Sequence, residues 1–291
     1  MQVNKISLSK IWKIASIEYA KWICNSRMVL LIIMYIFIRV CVITPLLGRS
    51  VRMGQPLNLL EPFIAVGNSG FIVLILPIVY LTLMSDYPKT DGNSMMVLVR
   101  TGKINWLIGQ LVFSFLTILS YLLILFLATI LSVFPFAFLD NGWSLVATDY
   151  DYYFPEEAGS VTSALLPANL YNQMAPYQAV LGTFLFLTLY FFLLVSILLL
   201  FRLYKQKLVG FFISGSLIAL GAACCSLKTP LMWILPMAHS VIWLHFDGRF
   251  RKQSVSIGGS VLYYVVSCTI VIILAVRQMK WYSLDNYEEV D

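Results

Sequence analysis

Between Lys103 and Arg202 the chain has no lysine and no arginine, and from Ile104 to Leu139 it has no charged residue at all. Charged residues make up only 12% of the 291 residues, against 60% hydrophobic, which excludes an ordinary soluble domain. There is no GxxxxGK[ST] phosphate loop, since Val97 stands where the glycine before Gly102-Lys103 would have to be, so the chain is not expected to hydrolyse ATP itself. HExxH and GxSxG are both missing, and the two histidines, His239 and His245, are spaced six apart rather than four. The five cysteines lie in or beside apolar runs without metal-ligand spacing and read as small hydrophobes. No metal site and no catalytic residue is expected. No cleavable signal peptide is visible, because the first 27 residues are amphipathic rather than apolar.

What is present is a series of long apolar runs. At roughly 20 residues per crossing they predict an all-α integral membrane protein with about six spans, near 28–47, 62–85, 106–133, 177–201, 208–226 and 257–276. The single membrane domain, 28–276, lies between a 1–27 segment and a 277–291 tail, both expected in the cytoplasm of a bacterial cell. The net charge of +6 sits in short flanking segments, which orients the spans and contacts anionic lipid rather than nucleic acid. In the first 23 residues Leu8, Ile11, Trp12, Ala15, Tyr19, Trp22 and Ile23 share one helical face, with Lys10, Lys13, Glu18 and Lys21 elsewhere, as in a helix lying in a membrane interface. Pro77 is an expected kink in the second span.

Two charged residues are singled out by their places in the first two spans. Arg39, inside the first, and Glu61, at the start of the second, are candidates for a substrate path or for pairing with each other. The loop 140–176 carries Asp140, Asp149, Asp151, Glu156 and Glu157 with no base and should lie outside, ordered by Trp143, Tyr150, Tyr152 and Tyr153. Its carboxylates could concentrate a cationic peptide. Residues 230–246 form a short apolar piece broken by Pro236. Arg249, Arg251 and Lys252 would make it a seventh crossing by charge alone, whereas its length favours a piece that enters and returns.

The polar stretch 86–110 organises the rest. Ser94 to Val99 reads as a short amphipathic helix, capped by Asn93 or Ser94 and ended by Gly102. Asp91-Gly92-Asn93, Leu98 and the run from Arg100 to Gln110 resemble the loop between the second and third spans of type-2 ABC exporter permeases, over about 25 residues. There an acidic residue and Gly-Thr precede a coupling helix, and a small/basic run leads to Gly-Lys; this chain has Asn93 for the threonine and Gln110 for the lysine. The resemblance implies a second permease subunit, alike or paralogous, and two ATPase subunits that bind ATP and Mg. It also implies re-entrant outer helices between spans five and six, and a substrate path between subunits lined by spans one, two and five. Asp91, Gly92, Met95, Met96, Leu98, Val99, Arg100 and Lys103 would then couple the ATPase to the spans. Substrate identity stays open. An amphipathic or hydrophobic molecule, a peptide among them, fits the class. Two alternatives remain at this point: an immunity or sensor protein binding a peptide or antibiotic through the outer loop, and a membrane-embedded enzyme.

Overall fold

The computed structural model describes residues 6–70, 72–89, 92–157, 159–160, 163–246 and 253–282. The first helix is α1, Leu8–Ile23. Then α2, Val29–Ile38, runs through a π-helical turn at Arg39–Ile43 into α3, Thr44–Met53. A two-residue strand β1, Leu57–Asn58, leads to α4, Glu61–Asn68, and α5, Ile72–Leu83. Next come α6, Gly92–Thr101, and α7, Lys103–Val133. The loop beyond holds β2, Ala137–Phe138, with the short helices α8, Leu145–Thr148, α9, Tyr150–Tyr153, and α10, Ala168–Tyr171. The chain ends with α11, Pro176–Leu203, α12, Lys207–Ser226, the short α13, Pro236–Ser240, and α14, Ile257–Trp281.

Among the described residues, five helices are long and apolar enough to cross a membrane: Ser26–Met53, Lys103–Phe136, Pro176–Leu203, Lys207–Ser226 and Ile257–Trp281. The pair α4 and α5 makes a sixth if taken as one broken span. This is an all-helical architecture compatible with a multi-pass membrane protein. α11 is its axis, mostly buried where α12 and α14 are mostly exposed. The reason lies in its sequence, a Leu/Phe run that is apolar all round and so can be enclosed by α4, α7, α12 and α14. Tyr80 of α5 stacks on Phe191 of α11 at 5.1 Å, while its hydroxyl meets Thr117 Oγ1 of α7 at 2.8 Å.

The second apolar run bends by 82° between α4 and α5, ahead of Pro77, which lies within α5. Asn68 supplies the reason. Backbone groups released at a break inside an apolar bundle need internal partners, and the Asn68 carbonyl accepts the Trp243 indole N–H at 2.8 Å. Its side chain accepts from Ile242 N (2.9 Å) and donates to Thr183 Oγ1 (3.0 Å). Gly67 must be glycine-sized, because a Cβ there would come 2.2 Å from Thr183 Cγ2.

α1 differs from expectation. Ser7 N donates to Asn105 Oδ1 at 3.0 Å and Tyr19 Oη meets Ser120 Oγ at 2.5 Å, so α1 runs beside the first half of α7 in the same direction. Gly109 permits the approach, since a Cβ there would lie 2.8 Å from Ile14. The buried edge is Ile11, Ile14, Ala15, Glu18 and Trp22, while Leu8 and Trp12 of the expected face are 82% and 59% exposed. The covered edge keeps Ile11, Ala15 and Trp22 of the expected face but takes in Ile14 and Glu18, which was placed off it.

The helix termini collect at two ends. At one, Asp86 bridges Arg27 (2.5 Å) and Lys207 (3.2 Å), joining the starts of the first and fourth long helices to the end of α5. Lys103 Nζ at the start of α7 donates to the Tyr282 carbonyl at 2.6 Å, beyond the last turn of α14. At the other end Arg49 faces Asp151 at 3.6 Å and Arg52 pairs with Glu157. There β1 pairs in parallel with β2, Leu57 opposite Ala137. Between α12 and α14, residues 230–246 pack near this second end. Met237 lies against Gly221, Phe246 O accepts from Asn169 Nδ2 at 3.2 Å, and Pro236 O accepts from Tyr264 Oη at 2.6 Å.

Candidate functional site

α6 is the element the sequence pointed to, and its surface divides in two. Asp91 lies outside the described residues, and of Gly92 and Met95 only the helical backbone is described. The helix begins at Gly92, so Asn93 and Ser94 sit in its first turn instead of capping it. It ends as expected: Gly102 has φ +88°, a backbone conformation L side chains rarely adopt. Met96 and Val99 are 68% and 66% exposed, but Leu98, expected beside them as contact surface, is 3% exposed and packs into the core. Burial follows from helix phase: Leu98 faces inward with Val97 partly buried beside it, while Met96 and Val99 face outward. Arg100 is exposed. Lys103 is committed elsewhere, to the carbonyls of Lys280 (3.4 Å) and Tyr282 (2.6 Å), where a cation suits the negative end of α14.

Beside α6, the Asp86 carboxylate is a charge hub. Burial would raise its pKa, but Arg27 and Lys207 together hold it below the ordinary carboxylate value. A depressed folded-state pKa contributes stability above the unfolded value, near pH 4, and loses it as pH falls through the folded one. Thermal unfolding of the wild type is therefore expected to drop on acidification below about pH 4 more than that of Asp86→Asn. Identical pH profiles for the two proteins would refute the hub.

At the opposite end Glu61, a substrate-path candidate, is fully buried at the start of α4 and has another task. Ser144 N and Oγ donate to its carboxyl oxygens at 2.7 and 2.8 Å, and Asn58 N at 3.2 Å. Asn58 Nδ2 in turn donates to the carbonyls of Asp140 (2.7 Å) and Gly142 (2.8 Å). Glu61 thus latches the entry of the broken span to the loop. The Arg39–Glu61 pairing considered from sequence does not form. Arg39 is exposed on the first long helix, and Nη1 donates to Tyr35 Oη at 3.3 Å.

The acidic loop is partly neutralised. Asp151 faces Arg49, whose guanidinium carbon also lies 4.3 Å from the Tyr150 ring centroid, and Glu157 accepts from Tyr150 Oη at 2.9 Å besides pairing with Arg52. Asp140 Oδ1 accepts from Asn141 N at 2.7 Å, and Asp149 precedes α9 as its cap residue. Glu156 is exposed. Trp143 anchors the loop through Nε1 to Met174 O at 2.8 Å, and Tyr150 is buried, whereas Tyr152 and Tyr153 stand out into the surroundings.

A cluster not anticipated from sequence joins His239, His245 and Ser260. Ser260 Oγ lies 2.8 Å from His239 Nδ1 and 2.8 Å from His245 Nε2. The other ring nitrogens face carbonyls, which only accept: Trp233 O for His239, Val241 O and Ile242 O for His245. One serine proton thus serves two imidazole lone pairs. The two histidines sit on separate short turns rather than on one helix. Among the described residues no group of three or more His, Cys, Asp or Glu is placed to hold a metal ion.

Compared with known proteins, the chain matches no family model, no curated protein and no solved structure.

Proposed function

We propose that this chain is the membrane-spanning subunit of an ATP-driven exporter of the type-2 ABC kind, working with a separate ATPase. The observation that carries the reading is α6. It is a short helix between the broken span and α7, at the cation-rich end of the bundle, with Met96 and Val99 turned outward. Exposed apolar side chains at a charged end mark a contact surface, and the chain itself lacks a phosphate loop.

Six legs then cross the membrane, the broken pair α4 and α5 counting as one. Residues 230–246 enter and return at the loop end, which agrees with their contacts to Asn68, Gly221 and Tyr264. The end with Arg27, Asp86 and Lys207 is cytoplasmic by the positive-inside rule, and the acidic loop is outside. The setting is a bacterial plasma membrane. α1, docked along α7, carries movement of α6 into the bundle. Two ATPase subunits bind ATP and Mg, a second permease subunit completes the path, and the cargo is amphipathic or hydrophobic, a peptide being one candidate.

A second reading, an immunity or sensor protein, is favoured by one feature: Tyr152 and Tyr153 project from a loop that is otherwise tied down. The test that separates the two is co-purification with the ATPase encoded beside this gene, followed by ATP turnover in the complex. Stable co-purification with turnover raised by amphipathic compounds supports export. A chain that purifies alone and binds peptide through the loop supports the second reading.

A further inference from the structure

Hydroxyls of α14 hold residues 230–246 in place. Tyr263 and Tyr264 donate to the carbonyls of Ile234 (2.8 Å) and Pro236 (2.6 Å). Ser260, buried near the start of α14, lies between His239 of α13 and His245 of the turn Ile242–His245. Four contacts in this cluster need a proton each: His239 Nε2 to Trp233 O (2.8 Å), His239 Nδ1 to Ser260 Oγ (2.8 Å), Ser260 Oγ to His245 Nε2 (2.8 Å), and His245 Nδ1 to the carbonyls of Val241 and Ile242 (3.1 Å). Two neutral imidazoles and one hydroxyl carry only three. Whichever tautomers are drawn, one contact then sets lone pair against lone pair, which is costly at a buried site.

The surroundings suit one added proton and not two. His239 stacks on Tyr263 at 4.2 Å and His245 on Phe186 at 5.5 Å, so each ring lies against an aromatic face that attracts a cation. Burial, and for His245 the charge of His239, push the imidazoles below their ordinary value, and a second proton would meet both costs at once. Among the described residues neither ring pairs with a carboxylate. The neighbouring titratable groups are Tyr263 and Tyr264 of α14, with Cys268 and Tyr190 of α11 beyond Tyr264, and Cys225 of α12 beyond Tyr190. Phenols and thiols are ordinarily neutral below about pH 8. α4 and α10 present Asn68 and Asn169 to this segment. The histidines are therefore the groups that titrate here between acidic and neutral pH.

We propose that His239, Ser260 and His245 form a binding site for a single proton, whose occupancy sets how firmly residues 230–246 are held against α14. The added proton completes the set: an imidazolium donates to Ser260 Oγ, and the serine proton goes to the other imidazole. When the imidazolium N–H moves to Oγ and the Oγ–H moves to the second ring, the charge passes from one histidine to the other with no atom gained or lost. Both rings thus share the proton. With the proton bound, the bridge becomes a charge-assisted pair of hydrogen bonds; without it, one side of the bridge is repulsive.

The sequence contains two histidines, His239 and His245, so nitrogen NMR of the full chain, labelled at histidine and held in lipid bilayers, observes this cluster alone. Between about pH 8 and about pH 4 the expected result is one imidazolium per chain, with both rings changing at one shared midpoint. Ser260→Ala removes the bridge and should lower that midpoint by at least about one pH unit, a ten-fold loss of proton affinity. Hydrogen exchange at residues 237–240, corrected for the intrinsic effect of pH, should slow roughly ten-fold as the wild type takes up the proton, the scale of one charge-assisted hydrogen bond. In Ser260→Ala it should not change. The proton count in the wild type needs no variant. Two protons taken up at separate midpoints, none above about pH 4, a midpoint unmoved in Ser260→Ala, exchange indifferent to the proton, or ring-nitrogen shifts on adding Zn2+ at constant pH would each overturn the proposal.

Discussion

Glu61→Leu is expected to lower the melting temperature of the purified chain by about 10 °C. The change removes the acceptor for two backbone N–H groups, Asn58 and Ser144, at a fully buried site. Each orphaned buried donor costs about 1–3 kcal/mol, so the pair costs about 4 kcal/mol. In a domain of this size 1 kcal/mol moves the melting temperature by about 2–4 °C. Glu61→Gln keeps one acceptor oxygen but turns an NH2 group toward donors, so about half the loss is expected. Ser144→Ala keeps its backbone N–H, loses the Oγ contact and the cap on Ala147 N, and should cost about 1 kcal/mol. Limited proteolysis of the loop should accelerate in the same order. A Glu61→Leu melting temperature within about 2 °C of wild type would mean that the latch is not holding the loop.

The latch also shows where sequence reading stops. The long helices were legible because each is a run of apolar residues whose length alone states its use, and charge at their ends placed most boundaries within a few residues. The first rod nevertheless extends to Met53, past the boundary near 47, because Arg49 and Arg52 find Asp151 and Glu157 about 100 residues away in the chain. The bend at Asn68 depends on Trp243 and Ile242, also remote. A carboxylate such as Glu61 looks functional in sequence because its partners, backbone N–H groups, leave no mark in residue types. Ser260 between two histidines is hidden for a like reason: hydroxyl and imidazole are common, and only the fold makes them meet. On α6 the helix itself was legible, but a short amphipathic segment has no periodic length to set its phase. Leu98 therefore read as surface although it is core.

That phase decides the most consequential experiment. Met96→Asp combined with Val99→Asp is expected to weaken docking of the partner ATPase about 100-fold while leaving the chain's own folding intact. Burying a side chain of this size contributes about 1.5–3 kcal/mol, and each 1.4 kcal/mol is ten-fold in affinity. Both positions project outward, so the charges are solvated when no partner is bound. Methionine further suits a surface that must re-pack as the partner moves. Arg100→Ala should change affinity by less than about ten-fold, since exposed ion pairs contribute only about 0–1 kcal/mol. Leu98→Asp is the contrasting variant. It puts a charge in the core and should lower the yield and melting temperature of the isolated chain, whether or not a partner exists. Pull-down of the ATPase, ATP turnover and the melting temperature of each free variant separate the two effects. If the Met96/Val99 double variant folds, binds and stimulates the ATPase as wild type does, α6 is not the coupling surface, and the exporter reading loses the observation that carries it.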